Sequence, residues 1–308
     1  MKLIPKILGT LIFAFVTAGT AIAEVTIVHE TETIESQKAV PWQRDIWRCS
    51  TDNGMVQVQY RRLLTPPEDG QRSLPNADSG IGFDGMVFGN WYRNNAIRVL
   101  VNGKDIMAQS PASSIETKEG ERGIVRLEWE VPEKNGRFRL SVAVAPDGET
   151  IYVMGNLLNY GEEVRTLEVV LTAYPGGYAP SYGGKSHRMG CTELQSGEVS
   201  PELPNDSSAF TVLKISDAEP WVFLSDGVAN SGAVGLLILP RERPQGEVTL
   251  SRYTVPIRLR YPQGTMTFSI ALFAYATENN IALEQFKSEL SKQQDTLESL
   301  AKENETLK

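Results

Sequence analysis

Between Met55 and Ala276 apolar and polar residues alternate with a period of two. Val56, Val58 and Tyr60 alternate with Gln57 and Gln59. Val125, Leu127, Trp129 and Val131 alternate with Arg126, Glu128 and Glu130, and Phe138, Leu140, Val142 and Val144 continue the rule. Successive side chains of a strand point to opposite faces, so this period predicts strands with one buried and one solvated face, as in antiparallel sheets. Asn102-Gly103 separates Ile97–Val101 from Lys104–Met107, and Asp147-Gly148 separates Val142–Ala145 from Ile151–Met154. Both dipeptides supply the positive φ that tight hairpins require. Further strands are expected over Thr166–Ala173, Phe210–Ile215, Trp221–Leu224, Val234–Leu239, Val248–Val255, Ile257–Tyr261 and Thr265–Ala276. No helix-period segment interrupts them, which argues against a parallel α/β sheet. The expected fold is all-β: one large antiparallel β-sandwich, with two smaller sandwiches as the alternative. The stretches Thr65–Gly82 and Gly197–Ser208 read as loops.

The two ends follow different rules. Lys2 and Lys6 precede the apolar run Ile7–Val16, and small residues ending in Ala21-Ile22-Ala23 follow. That order predicts a signal peptide over residues 1–23, too short in its apolar core to span a bilayer, and a periplasmic or secreted protein. The β-sandwich domain then covers 24–277. From Ile281 to Lys308 there is neither Gly nor Pro, and Leu, Glu, Lys and Gln dominate, which predicts a C-terminal helix over 278–308. Leu283, Phe286, Leu290, Leu297, Leu300 and Leu307 fall on heptad a/d positions, with Gln293 and Asn304 in the remaining two. A coiled coil that joins two copies, with Asn304 setting register, is one reading. An amphipathic helix lying on the sheet is the other.

Charge narrows the partners. The formal net charge is −8, and loss of Lys2 and Lys6 with the leader brings it near −10. Without a basic stripe, an acidic chain is a poor partner for nucleic acid. No stretch after the leader is apolar enough to form a transmembrane segment. Cys49 and Cys191 are the two cysteines, and an oxidising compartment would let them form a disulfide, although sequence alone does not bring them together. Neither has a second Cys or His at ligand spacing, so no metal site is expected.

The densest candidate site runs from Tyr174 to Cys191, YPGGYAPSYGGKSHRMGC. Tyr174, Tyr178 and Tyr182 offer flat faces, and Lys185, His187 and Arg188 offer hydrogen-bond donors. Sugars call for this combination of an aromatic face and planar polar groups, and Lys185 with Arg188 would equally hold a carboxylate or sulfate. A surface loop whose tyrosines pack on the sandwich is the competing explanation. For catalysis the histidines are His29 and His187. His29 stands close to the mature N-terminus, where order is often poor, so His187 with Glu193 is the favoured acid–base pair. There is no G-x-S-x-G elbow, Walker loop or H-E-x-x-H. Asp78, Asp84 and Asn90 match no calcium motif. Trp91 and Tyr92 read as a core corner.

The segment Ile151 to Gly161 (IYVMGNLLNYG), followed by Leu167–Leu171 and Tyr174 to Gly177 (YPGG), resembles a pattern in galactose-mutarotase-like supersandwich domains, as do Tyr253–Pro256 and Tyr261-Pro262. The resemblance covers about a third of the chain. It implies a broad sandwich and a carbohydrate-related role, catalytic or not. Enzymes of that kind use histidines and a carboxylate, and here His187 is the one histidine in that half. The function expected is therefore an exported carbohydrate-binding protein, without cofactor. A sugar epimerase or lyase using His187, and an adaptor oligomerising through Leu283, Phe286, Leu290, Leu297 and Leu300, are the alternatives.

Overall fold

A computed structural model of the chain describes residues 24–36, 39–63, 80–85, 88–93, 96–109, 111–131, 136–173, 188–199, 210–216, 219–225, 232–250, 254–277 and 279–307. The leader expected over 1–23 lies outside them. Ten strands form one antiparallel sheet: β1 (Thr26–Ser36), β2 (Ala39–Thr51), β3 (Gly54–Leu63), β4 (Gly80–Asp84), β5 (Ile97–Val101), β6 (Lys104–Asp105), β11 (Leu167–Ala173), β14 (Phe210–Ile215), β17 (Gln245–Leu250) and β18 (Val255–Tyr261). Their order is β1-β2-β3-β4-β5-β11-β18-β17-β14, with β6 beside β5. The second sheet has nine strands: β7 (Ser114–Lys118), β8 (Gly123–Val131), β9 (Gly136–Val144), β10 (Thr150–Leu158), β12 (Arg188–Cys191), β13 (Ser196–Val199), β15 (Trp221–Ser225), β16 (Ala233–Ile238) and β19 (Thr267–Tyr275). Its order is β13-β12-β15-β16-β19-β10-β9-β8-β7. Single-turn helices α1 (Phe88–Trp91) and α2 (Ile106–Gln109) sit among these strands, and α3 (Asn279–Thr306) ends the fold.

The turn chemistry acts as the sequence predicts. Asn102 and Gly103 both take positive φ, 51° and 78°, between β5 and β6. Between β9 and β10, Asp147 Oδ1 accepts the Glu149 and Thr150 amides at 2.8 and 3.0 Å, and Gly148 has φ 69°. Two expectations need correction. Thr26–Thr51, given no strand by the alternation, forms the two longest strands among those described, β1 and β2. Their stretch is rich in β-branched residues, which favour a pleated surface even without clean alternation. Lys104–Met107, expected as one strand, gives way after Asp105 to α2, whose Met107 and Ala108 amides are capped by Asp105 Oδ1.

Alternation also tells which face is covered twice. β8 reads buried at every second residue, whereas β15, β16, β10 and β19 are buried almost throughout. Strands with both faces out of water read as continuous apolar runs. One cover is the inter-sheet core, built on Trp47, Tyr60, Phe83, Trp91, Tyr92, Trp129 and Phe138. Trp91 and Tyr92 are thus core residues, as read from the sequence. The other cover is α3, whose Phe286 enters a ring of Trp221, Phe223, Phe273 and Tyr275 with centroids 5.6, 5.8, 5.3 and 6.4 Å away. Gly235 makes the room, since a Cβ there would lie 2.5 Å from the Phe286 ring.

The heptad seam of α3 is therefore used within the chain. Phe286, Leu297 and Leu300 are buried against the second sheet, and Leu283 and Leu290 pack partly buried beside them. The two polar seam residues find partners on that sheet. Gln293 Oε1 accepts from the Tyr152 hydroxyl, and Asn304 Oδ1 accepts from Ser141 Oγ at 2.7 Å. A buried polar pair of this kind fixes register. Arg139 adds a clamp, donating to Leu307 O at 2.8 Å and to Glu128 Oε1 at 2.6 Å.

The cysteines are free and buried. Cys49 faces the inter-sheet core, while Cys191 faces α3, so the second sheet stands between the two thiols. No disulfide joins them. Burial pushes both thiols up, Cys49 to about 12 and Cys191 to about 11, which leaves little thiolate to react. Thiol labelling without reductant is expected to find no reactive cysteine in the native protein and two in denaturant. A denatured chain that labels only after reduction would contradict this packing.

Candidate functional site

The candidate site follows from strand parity on β3 and β4. Val56, Val58 and Tyr60 face the inter-sheet core, as do Ile81 and Phe83. Gln57, Gln59 and Arg61 therefore point outward, with Asp84, Gly82 and Gly80 as their cross-strand partners. Gly80 and Gly82 thus occupy two successive outward positions of β4, and both are buried beside Gln59 and Arg61.

Although they point away from the core, Gln59 and Arg61 are buried, at 1% and 7% exposure. The Gln59 amide donates to Gln57 Oε1 at 3.1 Å and to Asp84 Oδ2 at 3.4 Å. Among the described residues its own Oε1 is buried without a hydrogen-bond partner. Such an acceptor calls for a donor. Asp84 stands at one end of this polar strip. Its Oδ1 accepts the Gly85 amide at 2.9 Å, its Oδ2 lies 3.2 Å from Arg93 Nε, and a Cβ on Gly89 would strike it at 2.3 Å.

The strip is rich in guanidinium. Arg44 of β2 lies directly across from Arg61, and Arg44 Nε donates to Glu32 at 3.1 Å. Burial holds Arg61 below the ordinary guanidinium value, at about 10, and Arg44 and Arg93 push the same way. At neutral pH it stays charged.

A second polar group lies on the inward face of β1, β2 and β3. His29 Nε2 is 3.2 Å from Asp45 Oδ1, which also accepts the Thr31 hydroxyl at 2.8 Å. Arg62 Nε is 3.8 Å from Asp45 Oδ2. The imidazole stacks on Trp47, 5.1 Å between centroids and 8° from parallel. Asp45 is buried while His29 is 44% exposed, so the carboxylate orients a ring that reaches solvent. His29, disfavoured by its nearness to the N-terminus, is thus placed by a long strand register, Ile27 to Ile34 against Trp42 to Cys49.

Of the residues singled out in the sequence, Tyr174, Tyr178, Tyr182, Lys185 and His187 lie outside the described residues. The strand before them, β11, ends at Ala173, two strands from β4, and the strand after them, β12, begins at Arg188 in the other sheet, paired with Val199. Glu193 is exposed and accepts the Trp221 indole N–H at 2.8 Å, so its described partner is structural. Sequence reasoning missed Arg61, read Gln59 as the solvated side of an alternating strand, and weighed Asp84 only as a calcium ligand with Asp78 and Asn90. The available signal was Gly80-x-Gly82-x-Asp84, glycine at every second strand position.

No protein-family model matches the chain, and no curated protein does. Solved structures do resemble it. The α-N-acetylgalactosaminidase NagBb of Bifidobacterium bifidum matches over 85% of this chain and 39% of its own length, at 7% identity and a TM-score of 0.49. The chain thus spans about two fifths of that enzyme. A Paenibacillus xanthan lyase matches over 84% of this chain and 26% of its own, at 9% identity and a TM-score of 0.43. A galactose mutarotase-like protein from Clostridium acetobutylicum matches over 80% of this chain and 98% of its own, at 10% identity and a TM-score of 0.40. At such identities no residue role is carried across.

Proposed function

We propose that the chain is an exported carbohydrate-binding β-sandwich protein that holds its sugar over Gly80 and Gly82 without altering it. The observation that carries this reading is Gln59 Oε1, buried and without a hydrogen-bond partner among the described residues, beside the two outward glycines of β4. Sugar hydroxyls donate and accept at once, and planar amides and guanidinium groups answer both needs. Gln57, Gln59 and Arg61 supply them from one strand. Tyr174, Tyr178 and Tyr182 would add stacking faces and Lys185 and His187 further donors, from the segment that begins after Ala173, whereas Arg188 belongs to β12 of the other sheet and is left out of this site. The resemblance of Ile151–Gly161 and its neighbours to galactose-mutarotase-like domains points the same way, and export rests on the leader expected over 1–23.

Calorimetric titration of the full chain against neutral and acidic oligosaccharides is expected to detect binding. Gln59→Leu and Tyr178→Ala should each weaken it about tenfold, about 1.4 kcal/mol, the scale of one hydrogen bond or stacking contact. Circular dichroism of each variant confirms the fold. A panel without binding, or both variants with unchanged affinity, would overturn the proposal.

A further inference from the structure

We infer that a pocket between α3 and the turn entering β8 binds a free basic α-amino acid of the lysine kind. The pocket belongs to the opposite sheet from Gln59 and Gly80, so the inference goes beyond the carbohydrate-binding reading and does not rest on it.

The pocket has a volume of about 290 Å³ and is lined by Arg122, Asp295, Thr296, Ser299, Leu300 and Glu303. Five of these come from one helix. Asp295, Ser299 and Glu303 follow one another at intervals of four, which sets them in a row along one face, about 12 Å long at about 1.5 Å per residue. All three are exposed. Thr296 and Leu300 form a deeper row beside them, and Leu300 is buried. Arg122, immediately before β8, supplies the facing wall. Burial pushes the Tyr152 hydroxyl up to about 12, and Arg122 and Thr296 oppose the rise, which places the guanidinium at the Thr296 end.

Charges of both signs line this space without meeting. Arg122 Nη2 lies 3.2 Å from Glu121, its neighbour in sequence, and it makes no ion pair with Asp295 or Glu303. Among the described residues, the Asp295 and Glu303 carboxylates and the Ser299 hydroxyl have no side-chain partner. One guanidinium at one end and two carboxylates along the row ask for one anion and two cations in the ligand. A basic α-amino acid has that pattern. Its α-carboxylate matches the planar fork of Arg122, and its α-ammonium answers Asp295 at the same end. Its methylene stem crosses Leu300, and its side-chain cation reaches Glu303. The Thr296 hydroxyl donates to Lys292 O at 3.1 Å, which leaves its lone pairs, like those of Ser299, to accept from the α-ammonium. The lining carries one more negative group than positive, and the ligand the reverse. A second carboxylate in the ligand would instead meet Glu303. The formal net charge of the chain, −8, also draws a cationic ligand toward the surface.

The test is calorimetric titration of the intact chain, at low ionic strength, with lysine, norleucine, Nα-acetyl-lysine, lysine amide and glutamate. Lysine should bind about tenfold tighter than norleucine, which has a similar stem without the side-chain cation, and about tenfold tighter than Nα-acetyl-lysine, which lacks the α-ammonium charge. Glutamate should bind more weakly than any of them. Glu303→Gln should bring lysine and norleucine to equal affinity. Arg122→Met should weaken lysine while leaving lysine amide, which has no α-carboxylate, unchanged. Circular dichroism establishes that both variants are folded. Absence of lysine binding overturns the inference, as does norleucine or glutamate binding as tightly as lysine. So does a preference for lysine over norleucine that survives in folded Glu303→Gln, or an equal loss of lysine and lysine amide in Arg122→Met.

Discussion

Phe286→Ala is expected to destabilise the protein by about 3–5 kcal/mol, the usual cost of emptying a buried aromatic site. The ring is fully buried, touches four aromatic neighbours, and lies over a glycine that has no side chain to relax into the void. The walls are strand residues of β15, β16 and β19, held by their ladders, so collapse around the vacancy is limited. Urea denaturation followed by far-ultraviolet circular dichroism measures the loss, and limited proteolysis reports whether α3 has lifted. A midpoint within about 0.5 kcal/mol of the parent would mean that α3 contributes little to the fold, contrary to its burial.

Glu242→Gln is expected to stabilise the protein at alkaline pH while changing little in acid. Glu242 lies in a 3-10 turn, Pro240–Glu242, with its Oε2 accepting the Ser269 amide at 2.8 Å and its Oε1 buried without a partner. Burial, opposed by the Ser269 hydrogen bonds and Arg241, raises its carboxyl from 4.5 to about 8. The folded protein therefore keeps the proton that the unfolded chain releases. Stability is full below about 4.5 and falls as pH rises toward about 8, beyond which the folded group also ionises. Glutamine keeps the shape and the acceptor but has no proton to lose. The gain at pH 9 should be on the order of a few kcal/mol, shrinking toward zero at pH 4. Glu149 and Glu289 are also raised, so the quantity to follow is the difference between parent and variant, in which they cancel. A difference independent of pH would show that Glu242 is ionised in the folded state.

The strands of this fold were largely legible because period-two alternation and turn dipeptides are local signals. Val56 to Tyr60, Val125 to Val131 and the Asp147-Gly148 turn could be placed from their neighbours alone. What escaped was set by distance along the chain. Whether the heptad seam of α3 meets a second copy or the chain's own β10, β16 and β19 depends on contacts more than a hundred residues away, such as Tyr152 with Gln293 and Ser141 with Asn304. A clue was present in the unbroken apolar runs WVFLS, AVGLLI and TFSIALFAY, which need a cover on both faces. The candidate site was harder still. Gln59 and Arg61 occupy positions that alternation assigns to water, and only the structure shows them buried, with Gly80 and Gly82 set beside them by register. His29 was lost to a rule about chain ends that a long strand pairing overrode.

Because α3 follows every strand that it covers, it also orders events during synthesis. Until residues 279–306 emerge, the outer surface of the nine-stranded sheet is an oily plate carrying Trp221, Phe223, Phe273 and Tyr275. Nascent chains short of that point present a sticky surface, so productive folding waits for α3, and chains cut before it become clients for chaperones or aggregates.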